Sequence, residues 1–110
     1  MLTFADIKSE LDITWNDEDT DSKARNAARR AQSTVGSLIG VPGMIFVDLE
    51  STAKTEGAET EAEQLFLDCC RYMYNHVYED FRKNFADTIL SLRAFYTVTQ
   101  SDDEEVTEDA

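Results

Sequence analysis

Thiols, one imidazole and clustered carboxylates are the groups in this 110-residue chain whose types lend themselves to chemistry. Cys69 and Cys70 are adjacent, and the single histidine, His76, follows within the same apolar segment. A thiol–imidazole nucleophile needs its two groups within hydrogen-bond reach, but seven helical residues separate them by about 10 Å. The pattern therefore predicts small buried thiols and a packing histidine on the apolar side of a helix. Vicinal cysteines are neither a disulfide framework nor a metal-ligand spacing. Asp17, Glu18, Asp19 and Asp21 lack the ligand order and central glycine of a calcium loop, and read as acids at a helix start, where the dipole favours them. Gly36, Gly40 and Gly43 do not follow a strand as a dinucleotide site requires. No catalytic, metal or cofactor-binding set emerges, so the expectation is a non-enzymatic protein with no cofactor.

Charge narrows the field further. Twenty-three acidic against ten basic residues give a formal net charge of −13, which argues against a protein that coats nucleic acid by neutralising phosphates. No apolar run reaches the roughly 20 residues of a membrane span, and the opening residues lack the regions of a signal peptide. The expectation is a soluble intracellular chain in a reducing compartment, with no membrane partner.

The elements that must position these groups follow from apolar spacing. Phe4, Ile7 and Leu11 predict a short helix over about 4–12, with Thr3 as N-cap and Asp6 at the capping-box position. Ala24, Ala27, Ala28, Ala31, Val35, Leu38 and Ile39 predict a second helix over about 21–39, stopped by Gly40-Val41-Pro42-Gly43. Leu65, Phe66, Cys69, Met73, His76 and Val77 line a third over about 61–78, the expected centre of the core. Phe85, Ile89, Leu92 and Tyr96 mark a fourth. The expected fold is all-α: a small bundle of three to four helices over residues 1–97, with a loop or arm at about 44–60. Six acids crowd into Ser101–Ala110, so residues 98–110 read as a flexible acidic tail. The predicted core comprises Ile7, Leu11, Ala28, Val35, Leu38, Leu65, Phe66, Cys69, Met73, Val77, Ile89 and Leu92.

Two features point to protein contacts. Lys23, Arg25, Arg29 and Arg30 place four of the ten bases within eight positions, a candidate basic face. Met44 to Leu49 reads as a short strand or an extended arm and Glu50 to Thr60 as a mobile loop, with Ile45, Phe46, Val47 and Leu49 as apolar anchors for a neighbour. The many rings between Phe46 and Tyr96 are expected to supply lateral contacts as well as core, since aromatics are enriched at interfaces.

The order of these features resembles that of the small head–tail connector proteins of tailed bacteriophages. The resemblance rests on Ile7-Lys8-Ser9-Glu10-Leu11-Asp12-Ile13, the acidic turn Asp17-Glu18-Asp19, and a helix with Ala27-Ala28-Arg29-Arg30-Ala31 ending in Ser37-Leu38-Ile39-Gly40. It continues through the aromatic helix Phe66-Leu67-Asp68-Cys69-Cys70-Arg71-Tyr72-Met73-Tyr74 and the segment Thr88 to Tyr96, covering about residues 2–97. It implies a structural protein without enzymatic activity, located in the virion at the head–tail junction and in the host cytoplasm during assembly. There it forms a homo-oligomeric ring, expected to be a dodecamer, docked on the portal protein and meeting a tail or stopper protein. DNA passes through the ring without sequence-specific binding. The alternative from another class is an acidic DNA mimic that inhibits a DNA-binding protein.

Overall fold

The first three helices of this chain begin where a side-chain oxygen is available to cap them. The computed structural model describes the backbone of residues 1–109 and the side chains of residues 1–97. Its elements are β1 (Leu2–Thr3), α1 (Phe4–Glu10), α2 (Glu18–Leu38), β2 (Val47–Asp48), α3 (Glu61–Tyr74), α4 (Tyr78–Asn84) and α5 (Ala86–Asp109). The chain is thus mostly helical. Thr3 and Asp6 form the reciprocal capping box at the start of α1. Asp17 accepts from the Thr20 N–H at the start of α2, and Thr60 from the Glu63 N–H at the start of α3. The helix α2 starts three residues earlier than the alanine spacing predicts. Asp17 is its cap and Glu18, Asp19 and Asp21 lie in the first turn, where the dipole favours them.

Three helices stop in the same way. After α2, Gly40 adopts a left-handed φ of 86°, and the Val41 N–H closes on the Gly36 carbonyl at 2.8 Å, the Schellman arrangement. Gly36 is itself required here, because a Cβ would stand 2.9 Å from the Val41 carbonyl oxygen. After α1 the left-handed position is filled by Asp12, and after α3 by His76, with φ of 58° and 61°. Ile13 N–H then bonds the Lys8 carbonyl, and Val77 N–H the Tyr72 carbonyl, both at 2.9 Å. The expected third helix to residue 78 therefore ends at Tyr74, and a separate α4 follows. His76→Gly relieves the Cβ clash of the left-handed region, so it should raise stability by about 1 kcal/mol. Thermal unfolding, read as a rise of roughly 4–8 °C in Tm, checks it.

The core lies between α2 and α3. Ala24, Ala27, Ala28 and Ala31 are buried along α2 and let α3 approach closely, while α3 supplies Leu65, Phe66, Cys69 and Cys70. The two helices run antiparallel: the Lys23 ammonium lies 4.7 Å from the Tyr74 ring at the far end of α3. Tyr72, Phe81 and Phe85 pack as a cluster, with centroid separations of 5.1 to 5.8 Å, which seats α4 on α3. From there α5 returns along α3, bringing Leu92 and Tyr96 to Ala62. Most of the aromatic surplus is consumed inside the subunit in this way.

The segment after α2 is not a free arm. Strand β2 pairs in parallel with β1, Leu2 opposite Val47 and Thr3 opposite Asp48. The Gln32 side-chain oxygen accepts from the N–H groups of Phe46 and Val47 at 2.8 and 3.3 Å. The Phe46 ring stacks on Phe66 at 5.2 Å. Further along, Thr3 donates its hydroxyl to the Ala53 carbonyl at 2.7 Å, and Phe4 N–H bonds the Ser51 carbonyl at 3.0 Å. The carboxylate of Asp6, buried in α1, accepts from Thr3 N–H at 2.8 Å, from Thr55 N–H at 3.0 Å and from the Thr55 hydroxyl at 2.8 Å. The expected core is otherwise found, with Leu11, Leu38 and Ile89 half-buried against it. Val77 is the correction: it is 43% exposed, because the chain leaves the helix at His76 and turns it outward. Residues 98–109, expected as part of a flexible tail, continue the backbone of α5, while the side chains of 98–110 lie outside the described residues.

Candidate interaction surfaces

The groups with chemical potential are sequestered or dispersed. Burial, with Asp68 nearby, pushes the Cys69 thiol up to about 12, and burial raises Cys70 well above the ordinary thiol value, so neither is a nucleophile at neutral pH. His76 is exposed at its left-handed turn and is not the packing histidine that the apolar spacing suggests. Among the described residues no group of three or more His, Cys, Asp or Glu side chains could hold a metal ion. Nor is any helix of the described residues long and apolar enough to cross a membrane.

The carboxylates do structural work. Lys8 reaches from α1 to the acidic turn, donating to the Trp15 carbonyl at 2.9 Å and to Asn16 at 3.0 Å, and it pairs with Asp21 at 2.9 Å. Two of these contacts are hydrogen bonds, and the third is an ion pair. Glu10 pairs with Arg71 of α3 at 2.9 Å. Burial raises the Glu10 carboxyl above its ordinary value, against the Arg71 charge and with help from Asp68 and Asp12. Asp68 is raised too, by burial that outweighs Gln64 and Arg71.

The basic stretch of α2 does not form one face. At about 100° per residue, Lys23 and Arg30 share one azimuth and Arg25 and Arg29 another, on opposite flanks of the alanine stripe. Their contacts agree. Lys23 lies over Tyr74 of α3, and Arg25 stacks 4.4 Å from the Phe4 ring of α1. Arg29 bonds its own helix, at Asn26, while Arg30 borders a hollow with Met73, His76 and Val77. Of the apolar anchors expected in the arm, Phe46 and Val47 are buried, 2% and 6% exposed, and belong to the core. Leu49 is half-buried against it. Of these four, Ile45 alone faces solvent.

Two surfaces that residue spacing did not indicate carry exposed apolar groups. The first surrounds Val77 at the end of α3: a hollow of about 410 Å³ between Arg30 of α2 and Glu79 and Asp80 of α4. The second lies at the start of α3: a hollow of about 320 Å³ between Glu61 and Ala62 and the α5 residues Ser91, Leu92 and Phe95. Phe95, which lines this hollow, is 63% exposed. The signal for the first was the absence of glycine or proline at the helix end, which hid the turn. For the second it was α5, whose apolar residues encircle the helix instead of marking one stripe. No family model, no curated protein and no solved structure matches this chain.

Proposed function

We propose that this chain is a non-enzymatic head–tail connector of a tailed bacteriophage. It assembles as a ring on the portal protein, joins the DNA-filled head to the tail and continues the DNA channel. The observation that carries this reading is that the subunit closes its own core and still leaves Val77 and Phe95 exposed, each lining a hollow at one end of α3. Exposed apolar side chains gathered at a hollow suit a contact surface, and a head-to-tail ring needs two different patches on each subunit. The inert thiols, and the order of capped leading helix, acidic turn, alanine-striped helix and aromatic helix, point the same way. The net charge of −13 suits a channel wall that DNA passes without adhering.

The test is co-sedimentation of the purified chain with portal rings from the phage whose genome carries it. The connector reading expects saturable binding at a fixed ratio of chain to portal ring. It also expects no retention of duplex DNA by the chain alone at physiological salt. A chain that stays in the supernatant at every portal concentration overturns it.

A further inference from the structure

Charge is segregated along this chain. From Ser22 to Val47 it carries four bases, Lys23, Arg25, Arg29 and Arg30, and no acid, whereas Ser101 to Ala110 holds six acids and no base. Among the described residues the ion pairs serve Lys8 and Arg71 and leave these four bases without a carboxylate partner. The two flanks of α2 differ in what surrounds them. Arg30 borders a hollow with Glu79 and Asp80, which repel any further acid. Arg25, held on the Phe4 ring, borders a hollow of about 420 Å³ between α1 and α2, and the one acid lining that hollow, Asp21, is neutralised by Lys8. Arg29, one turn further along the same flank, is exposed.

Within one subunit, α5 carries the acidic segment away from this flank. It starts beside Tyr72 and has reached Ala62 by Tyr96, so it runs antiparallel to α3 and in the same direction as α2. It passes the end of α2 at Arg93, whose Cγ lies 3.8 Å from where a Cβ on Gly40 would stand. Its backbone then continues to Asp109, roughly 20 Å beyond Tyr96. Arg29 and Arg25 lie behind that point, about 16 and 22 Å back along α2 from Gly40.

We infer that residues 101–110 of one copy dock on the Arg25–Arg29 flank of α2 in the next copy. The occupant follows from charge complementarity and from where α5 ends. Two chains of net charge −13 repel as wholes, so association needs local opposite charges, and each copy holds both halves of such a contact where it cannot join them itself. Because the halves differ and lie toward opposite ends of the subunit, every bound copy keeps one half free. The contact is therefore heterologous and repeats from copy to copy, giving a ring where the rotation closes. It deepens the connector reading and rests on it for the ring.

The experiment is sedimentation velocity of full-length chains at low salt, where screening is least. One variant neutralises the acidic segment with Asp102→Asn, Asp103→Asn, Glu104→Gln and Glu105→Gln. The other alters the flank with Arg25→Gln and Arg29→Glu. The wild type should self-associate, and each variant alone should stay monomeric. Mixed, the two should form a one-to-one dimer and nothing larger, because one supplies only the flank and the other only the acids. Arg29→Glu alone, at an exposed position that leaves the fold intact, should weaken self-association about tenfold. Arg30→Glu makes the same charge change on the other flank and should weaken it much less. A wild type that stays monomeric, a neutralised chain that associates like the wild type, a mixture without the dimer, or equal weakening by Arg30→Glu overturns the inference. Portal co-sedimentation of the wild-type chain is read separately. Portal binding without the mixed dimer defeats this contact alone, and the mixed dimer without portal binding defeats the connector reading alone.

Discussion

Phe46→Ala should destabilise the isolated subunit by about 3–5 kcal/mol, the range for removing a fully buried aromatic ring. The ring lies parallel on Phe66, 5.2 Å between centroids and 10° between planes, at the centre of the layer between β2 and α3. Truncation removes the burial and the stacking together and leaves a cavity bounded by helices already held close by alanine. Small domains are stable by about 5–15 kcal/mol, so the variant should unfold at a much lower urea concentration. The measurement also separates two roles for the segment. An arm that anchored a neighbour would leave the dilute subunit's midpoint unchanged and lower only its association, and a loss below about 1 kcal/mol would restore that role.

Asp6→Ala should remove about 3 kcal/mol at neutral pH, since it deletes charge-assisted hydrogen bonds and strands the buried N–H of Thr3 and that of Thr55. The pH dependence has a definite sign. Burial pushes the Asp6 carboxyl up, but the donors of Thr55 and Thr3 outweigh it and hold the group below its ordinary 3.8. The folded state therefore binds the proton less readily than the unfolded chain. The contribution is fully present above the ordinary value and is lost as pH falls through the lower folded one. Wild type and Asp6→Asn, compared by urea midpoint, should differ by a constant amount from pH 7 to about pH 5 and converge in stronger acid. A gap that widens on acidification would show that the carboxylate is destabilised in the fold.

The parts of this fold legible from residue order are those governed by local rules. The capping box at Thr3 and Asp6, the alanine stripe of α2 and its glycine stop each depend on residues within one or two turns, and all three are present. The stop after α3 was illegible because His76 occupies a position usually filled by glycine. The turn is imposed by the packing of Phe81 and Phe85 on Tyr72, not by backbone preference. Asp6 was legible as a cap and illegible as a hub, since its other partner, Thr55, is 49 residues away. Phe46 and Val47 were misplaced for a similar reason: the Gln32 oxygen that ties them down lies in the middle of a helix, where a glutamine carries no signal of its partner. The basic stretch was visible as composition, but its division between two flanks is decided by which rings receive Lys23 and Arg25.

The parallel pairing of Leu2 with Val47 also sets a timetable for synthesis. As the chain leaves the ribosome, α1 emerges first, yet its strand partner and its threonine donor are more than forty residues behind it. Closing so long a loop is entropically unfavourable until many contacts form together. A seven-residue helix of this kind has little stability by itself, and the alanine face of α2 has nothing to pack against before α3 appears. The nascent subunit should therefore stay open until residues 61–74 have cleared the exit tunnel, then condense in one step, with its first residues among the last to lock.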